Sequence, residues 1–103
     1  MPWIDACATD DIEEEDVIRW DYGNRTFVVV HGVDGNFYCT DGLCTHENVH
    51  LSDGLVLDHE LECPMHNGLF DYRSGKALRA PVCIDLKTYP TKVEDGRVLV
   101  LIE

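Results

Sequence analysis

Two mixed knuckles constrain this chain more than any other feature: Cys44-Thr45-His46 and Cys63-Pro64-Met65-His66, separated by sixteen residues. Each falls between runs that read as strands, so the two form loops that can close on a common object like a clamp. With 103 residues there is room for one domain, residues 1–103, and only a small core. Cores of that size often recruit a metal or disulfides, which makes five cysteines a matter for accounting. Thiolate and imidazole both suit borderline-soft metals, and a loop carrying one of each can offer them to two different metal atoms.

The rest of the sequence supplies strands and turns. "RTFVVV" and "NFYCT" read as a hairpin turned at Asp34-Gly35, and "GLVLD" and "ELEC" flank a turn at Asp58-His59. "LFDY" and "KALRA" are separated by Ser74-Gly75, while "KTYPTKVE" and "RVLVLIE" flank Asp95-Gly96. Only residues 10–18 have any helical character, and they are short enough to be a turn. The fold class predicted from this pattern is all-β, a sandwich or small barrel.

Charge and composition exclude several functions. Twenty acidic residues against eight basic ones give a formal net charge of -12, which repels nucleic acid and anionic lipid. The cluster Asp10, Asp11, Glu13, Glu14, Glu15 and Asp16 reads as a solvated face that keeps the domain monomeric, or, more sharply, as a charge that steers it toward a basic partner. No secretory signal opens the sequence, and its apolar runs are far too short to span a membrane. The expected setting is a reducing cytoplasm, where cysteines bind metal or catalyse more often than they bridge.

Two metals fit the knuckles. Structural zinc takes two Cys and two His, but its common spacings group Cys with Cys and His with His. A two-iron cluster accounts for the mixture, with two Cys on one iron and two His on the other. At this point the sequence resembles the Rieske family. C-T-H at 44–46, C-P-x-H at 63–66, the "HNGLFD" run and the later Gly75 and Pro81 match its motif, and the likeness extends over essentially the whole chain. It looks most like the small ferredoxins of bacterial multicomponent ring-hydroxylating oxygenases, which begin near a Trp such as Trp3. Its "THENVHLSDG", "CPMHNGLFDY" and "APVC" stretches resemble ferredoxins of rhizopine-catabolism oxygenases.

The resemblance implies three small antiparallel sheets, with a cluster-binding part at about residues 42–82 made of two ligand loops and a proline loop. It implies one [2Fe–2S] cluster per chain, with Cys44 and Cys63 on the buried iron, His46 and His66 on the outer iron, and Pro81 on the shielding loop. It also implies a one-electron carrier, not an enzyme in its own right, between a flavin-dependent ferredoxin reductase and a terminal oxygenase, docking through the histidine end. A small subunit of another redox enzyme, such as nitrite reductase, is the alternative. Respiratory Rieske proteins carry a disulfide and Ser and Tyr hydroxyls around the cluster; the corresponding positions here are Val49, Met65, Gly68 and Phe70. Without those hydroxyls the reduced cluster is less stabilised, so the expected potential lies near the low end of the Rieske range, about -150 mV. Glu47 stands where the ferredoxins commonly have Gly.

The chain carries no nucleotide fingerprint, no P-loop and no oxygen-activating iron motif. Cys7, Cys39 and Cys83 read as small buried hydrophobes. His31 and His59 read as surface residues, and His50 as a loop residue without iron. Leu43 and Met65 flank ligands and read as cluster cover.

Overall fold

The computed structural model describes residues 2–45, 48–65, 67–80 and 84–102. Its centre is the apolar run of β3 (Arg25–His31), which lies between β2 (Asp16–Tyr22) and β4 (Phe37–Asp41); β4 in turn pairs with β9 (Thr88–Tyr89). Phe27 to Val30 are fully buried because both faces of this sheet are covered. Successive side chains point to opposite faces of a strand. Val28 and Val30 therefore enter one apolar cluster, and Phe27 and Val29 enter another.

The Phe27 side is covered by the sheet β1 (Trp3–Ala8), β11 (Arg97–Leu101) and β10 (Thr91–Glu94), in that order. Cys7, Val98 and Val100 join its core. The Val28 side is covered by β5 (Leu55–Leu57), β6 (Glu60–Glu62), β7 (Leu69–Asp71) and β8 (Ala77–Arg79), a consecutive antiparallel meander that contributes Leu61 and Phe70. Fully burying such side chains stabilises by roughly 1.5–3 kcal/mol each. The all-β prediction holds, and the three antiparallel sheets are those the resemblance implies, in place of the single sandwich or closed barrel suggested by the strand pattern alone.

Four local differences from the sequence reading have physical causes. β1 pairs across the length of the chain, Trp3 with Leu101, so no turn announces it. β2 was missed because four of its seven residues are exposed; the Gly23-Asn24 turn that joins it to β3 is the signal that could have found it. "KTYPTKVE" divides at Pro90, which lacks an N–H to continue the ladder, so β9 joins the central sheet and β10 the terminal one. Residues 10–18 hold the end of a single 3₁₀ turn, Thr9–Asp11, and the start of β2.

Among the described residues, no helix is long and apolar enough to cross a membrane.

Candidate metal centre

The two knuckles sit on loops of equal length with the same closure. In the second, the Cys63 N–H donates to the Gly68 carbonyl at 2.8 Å, just outside which Glu62 pairs with Leu69. In the first, the Cys44 N–H donates to the Val49 carbonyl at 3.0 Å, just outside which Leu43 bridges His50. Each loop thus spans six residues from the cysteine to its acceptor and carries its histidine in between. His46 and His66 lie outside the described residues, as do Glu47, Pro81 and Cys83.

The four described thiols are divided by the central sheet. Cys44 and Cys63 belong to the same apolar cluster as Leu51, Leu61, Phe70 and Tyr72; Cys7 and Cys39 lie in the other. None of the four is disulfide-bonded. Burial, aided by Asp11, pushes the Cys7 thiol up to about 11, and burial with the Asp41 carboxylate pushes Cys39 higher still. Both therefore stay protonated and serve as packing, as expected from sequence.

The Cys44–Cys63 end suits an iron–sulfur group. Two cysteines without a disulfide enter one apolar cluster from two loops, 7 % and 1 % exposed. A thiolate in such surroundings needs a positive partner, which iron supplies. Hydrogen bonds from the two closures and a shared core hold both sulfurs without requiring a disulfide between the loops.

A third segment is tied to this end. The hydroxyl of Thr45, between Cys44 and His46 in sequence, donates to the Ile84 carbonyl at 2.7 Å. Two residues on, the Leu86 N–H donates to the Gly75 carbonyl at 2.7 Å. The first knuckle is thereby fastened to the chain that follows residues 81–83. Thr45→Val keeps the shape and removes the tether; because the Ile84 carbonyl can turn to water, the loss is about 1 kcal/mol. The expected result is about fivefold faster bleaching of the protein's visible absorption under an iron chelator, with Thr45→Ser close to the parent.

Sequence reading missed Tyr72 and underrated two histidines. Tyr72 is fully buried; its hydroxyl donates to the Asp58 carbonyl and accepts the Val33 N–H at 3.4 Å, joining the meander to the β3–β4 turn. His31 is half-buried, stacked on Phe37 at 4.2 Å, with Nδ1 donating to the Ile12 carbonyl. His59 Nδ1 is buried in the turn between β5 and β6, beside Tyr72. The acidic segment is more than a solvated face, since Glu15 accepts the Asp58 N–H at 2.8 Å.

Leu43 and Met65, expected as cover, stand 43 % and 41 % exposed, and Ile84 62 %. Each neighbours one of the three loops, so this end presents apolar side chains, although Leu55 and Leu57 on β5 are more exposed still.

The family described as "Rieske [2Fe-2S] domain" matches residues 2–90. The ferredoxin component of the naphthalene 1,2-dioxygenase/salicylate 5-hydroxylase systems of Ralstonia sp is 45% identical over 101 residues, covering 98% of this chain and 96% of that protein. Among solved structures, the ferredoxin of Sphingomonas yanoikuyae B1 superposes with a TM-score of 0.90 at 34% identity, over 96% of this chain and 97% of that one. A chain from the complex of reduced oxygenase and oxidised ferredoxin in carbazole 1,9a-dioxygenase superposes with a TM-score of 0.90 at 28% identity, over 95% of this chain and 100% of that one.

Proposed function

We propose, for a chain that belongs to the Rieske [2Fe–2S] domain family, that Cys44 and Cys63 hold the inner iron of its cluster and His46 and His66 the outer one. The cofactor is a Rieske-type [2Fe–2S] cluster, and the protein is an electron-transfer component, a ferredoxin, with no bond chemistry of its own. That membership decides between the two metals the mixed knuckles left open. When bound, the cluster supplies a one-electron couple whose potential depends on charge, hydrogen bonds to sulfur and exposure.

The observation that carries the ligand assignment is the matched pair of six-residue loops, each with a buried cysteine at its base in a common apolar core. The chain's own residues exclude water on the inner side through Leu51, Leu61 and Phe70, and fix the loops through the Cys44 and Cys63 amides. No hydroxyl occupies positions 68 and 70, which are Gly and Phe, so the low-end potential of about -150 mV stands as the expectation. Residues 1–103 act as one Rieske domain, with its cluster-binding part at about 42–82, in the cytoplasm.

The partners are a flavin-dependent reductase, which supplies electrons, and the oxygenase of a ring-hydroxylating dioxygenase system, which receives them. Leu43, Met65 and Ile84 give the cluster end an apolar contact surface, while the net charge of -12 draws basic partners from a distance. The test is substitution of this chain for the ferredoxin in the reconstituted Ralstonia naphthalene dioxygenase system. Oxidation of naphthalene that requires this chain, with a reduction rate falling at least tenfold from low to high salt, is expected. A reduced, intact cluster that gives no turnover with the oxygenase would exclude this system as its partner.

A further inference from the structure

The two ligand loops have equal lengths but unequal supports. The second leaves and re-enters through Glu62 and Leu69, inside the four-stranded meander. The first is closed by an isolated bridge, Leu43 with His50, and by the Leu51 N–H donating to the Gly42 carbonyl at 2.8 Å, after which the chain turns into the 3₁₀ segment Leu51–Asp53. A side chain supplies what a paired strand supplies on the other side.

That side chain is His50. Its Nδ1 accepts the Ser52 N–H at 3.2 Å, which places the ring proton on Nε2. Nε2 then donates to the Thr26 hydroxyl at 2.7 Å, and Thr26 donates to Asp21 at 2.6 Å. Thr26 and Asp21 are directly opposed on β3 and β2, and Asp21 is also held by Arg19 at 3.1 Å, so the far end of the chain is anchored in a hairpin. Burial, with Arg19 nearby, holds the imidazole below its ordinary titration range, in keeping with a neutral ring. Room for the ring comes from Gly42, where a Cβ would lie 2.7 Å from Nε2.

We infer that His50 is a positioning residue for the cluster: it locks the base of the first ligand loop to the β2–β3 hairpin and so limits the access of water to the site. The inference rests on Cys44 being a cluster ligand. Releasing the anchor loosens the base of the first ligand loop and admits water, which favours the reduced cluster because it carries the extra negative charge. The potential therefore rises.

Thr26→Val tests this far from the loop in sequence, with Thr26→Ser as the conservative partner. The expected result is full iron content, at least a threefold shift of the redox equilibrium toward the reduced form, about 30 mV at about 59 mV per tenfold, and faster amide hydrogen exchange confined to residues 43–45 and 48–51. Thr26→Ser should match the parent. His50→Asn, which retains an acceptor for Ser52 but does not reach Thr26, should behave like Thr26→Val. Unchanged exchange and potential in Thr26→Val and His50→Asn would overturn the inference. A parent protein without iron and sulfide would instead sink the ligand assignment, and the exchange comparison, which needs no cluster, would still decide the anchor.

Discussion

Cys63→Ser will abolish the cluster, whereas Cys39→Ser will leave it intact. Both thiols are 1 % exposed, so burial alone does not distinguish them. Each replacement puts a hydroxyl into apolar surroundings at a cost of about 1–3 kcal/mol if it finds no partner. For a domain of this size that corresponds to a fall in Tm of about 4–24 °C. Only Cys63 lies on a ligand loop; Cys39 is on β4, in the cluster on the opposite side of the central sheet. Losing a metal group that forms only in the folded state also removes its binding free energy from folding. Cys63→Ser should therefore lose iron, sulfide and visible colour and melt well below Cys39→Ser. Comparable iron content in the two variants would contradict the assignment of Cys63.

The second large effect comes from a residue outside both ligand loops. A Cβ on Gly54 would stand 1.9 Å from the Glu62 carbonyl oxygen and 3.2 Å from that of Leu51. Both obstacles are backbone, so no side chain can rotate away. Glu62 precedes Cys63 and pairs with both Leu55 and Leu69, so displacing it disturbs β6 along its two edges. Gly54→Ala should cost more than the about 1–3 kcal/mol usual for overpacking, a fall of over about 12 °C in Tm, with iron lost in parallel. Gly35→Ala is the comparison: no atom lies within 4 Å, and its cost is that of a left-handed backbone, roughly 1–2 kcal/mol. Calorimetry with iron analysis on both variants measures the difference.

What was legible in the sequence was local. Hairpins turned at Asp34-Gly35, Asp58-His59, Ser74-Gly75 and Asp95-Gly96 are present because their turn residues and apolar runs adjoin. Of the four proposed ligands, Cys44 and Cys63 stood out in the sequence by residue type and spacing, and the structure puts both in one apolar cluster at the base of two equal loops. The rest depends on partners distant in the chain. Nothing near Trp3 points to Leu101, nothing near Thr45 points to Ile84, and His50 acquires its role only because Thr26 and Asp21 come to face it. The need for glycine at 54 is likewise set by a carbonyl eight residues away across a sheet. "RTFVVV" shows the same division: its apolar run marks a buried strand, yet the partition of Phe27 and Val29 from Val28 and Val30 into two cores appears only once both covering sheets are in place.

The central claim is that a two-iron cluster is held by two thiolates on one side and two imidazoles on the other. Low-temperature EPR of the dithionite-reduced protein tests it most directly, because the ligand set governs the g values. A rhombic signal with an average g well below that of all-cysteine clusters is the predicted result. An average g in the all-cysteine range, or a colourless and EPR-silent protein after anaerobic reconstitution with iron and sulfide, would contradict it.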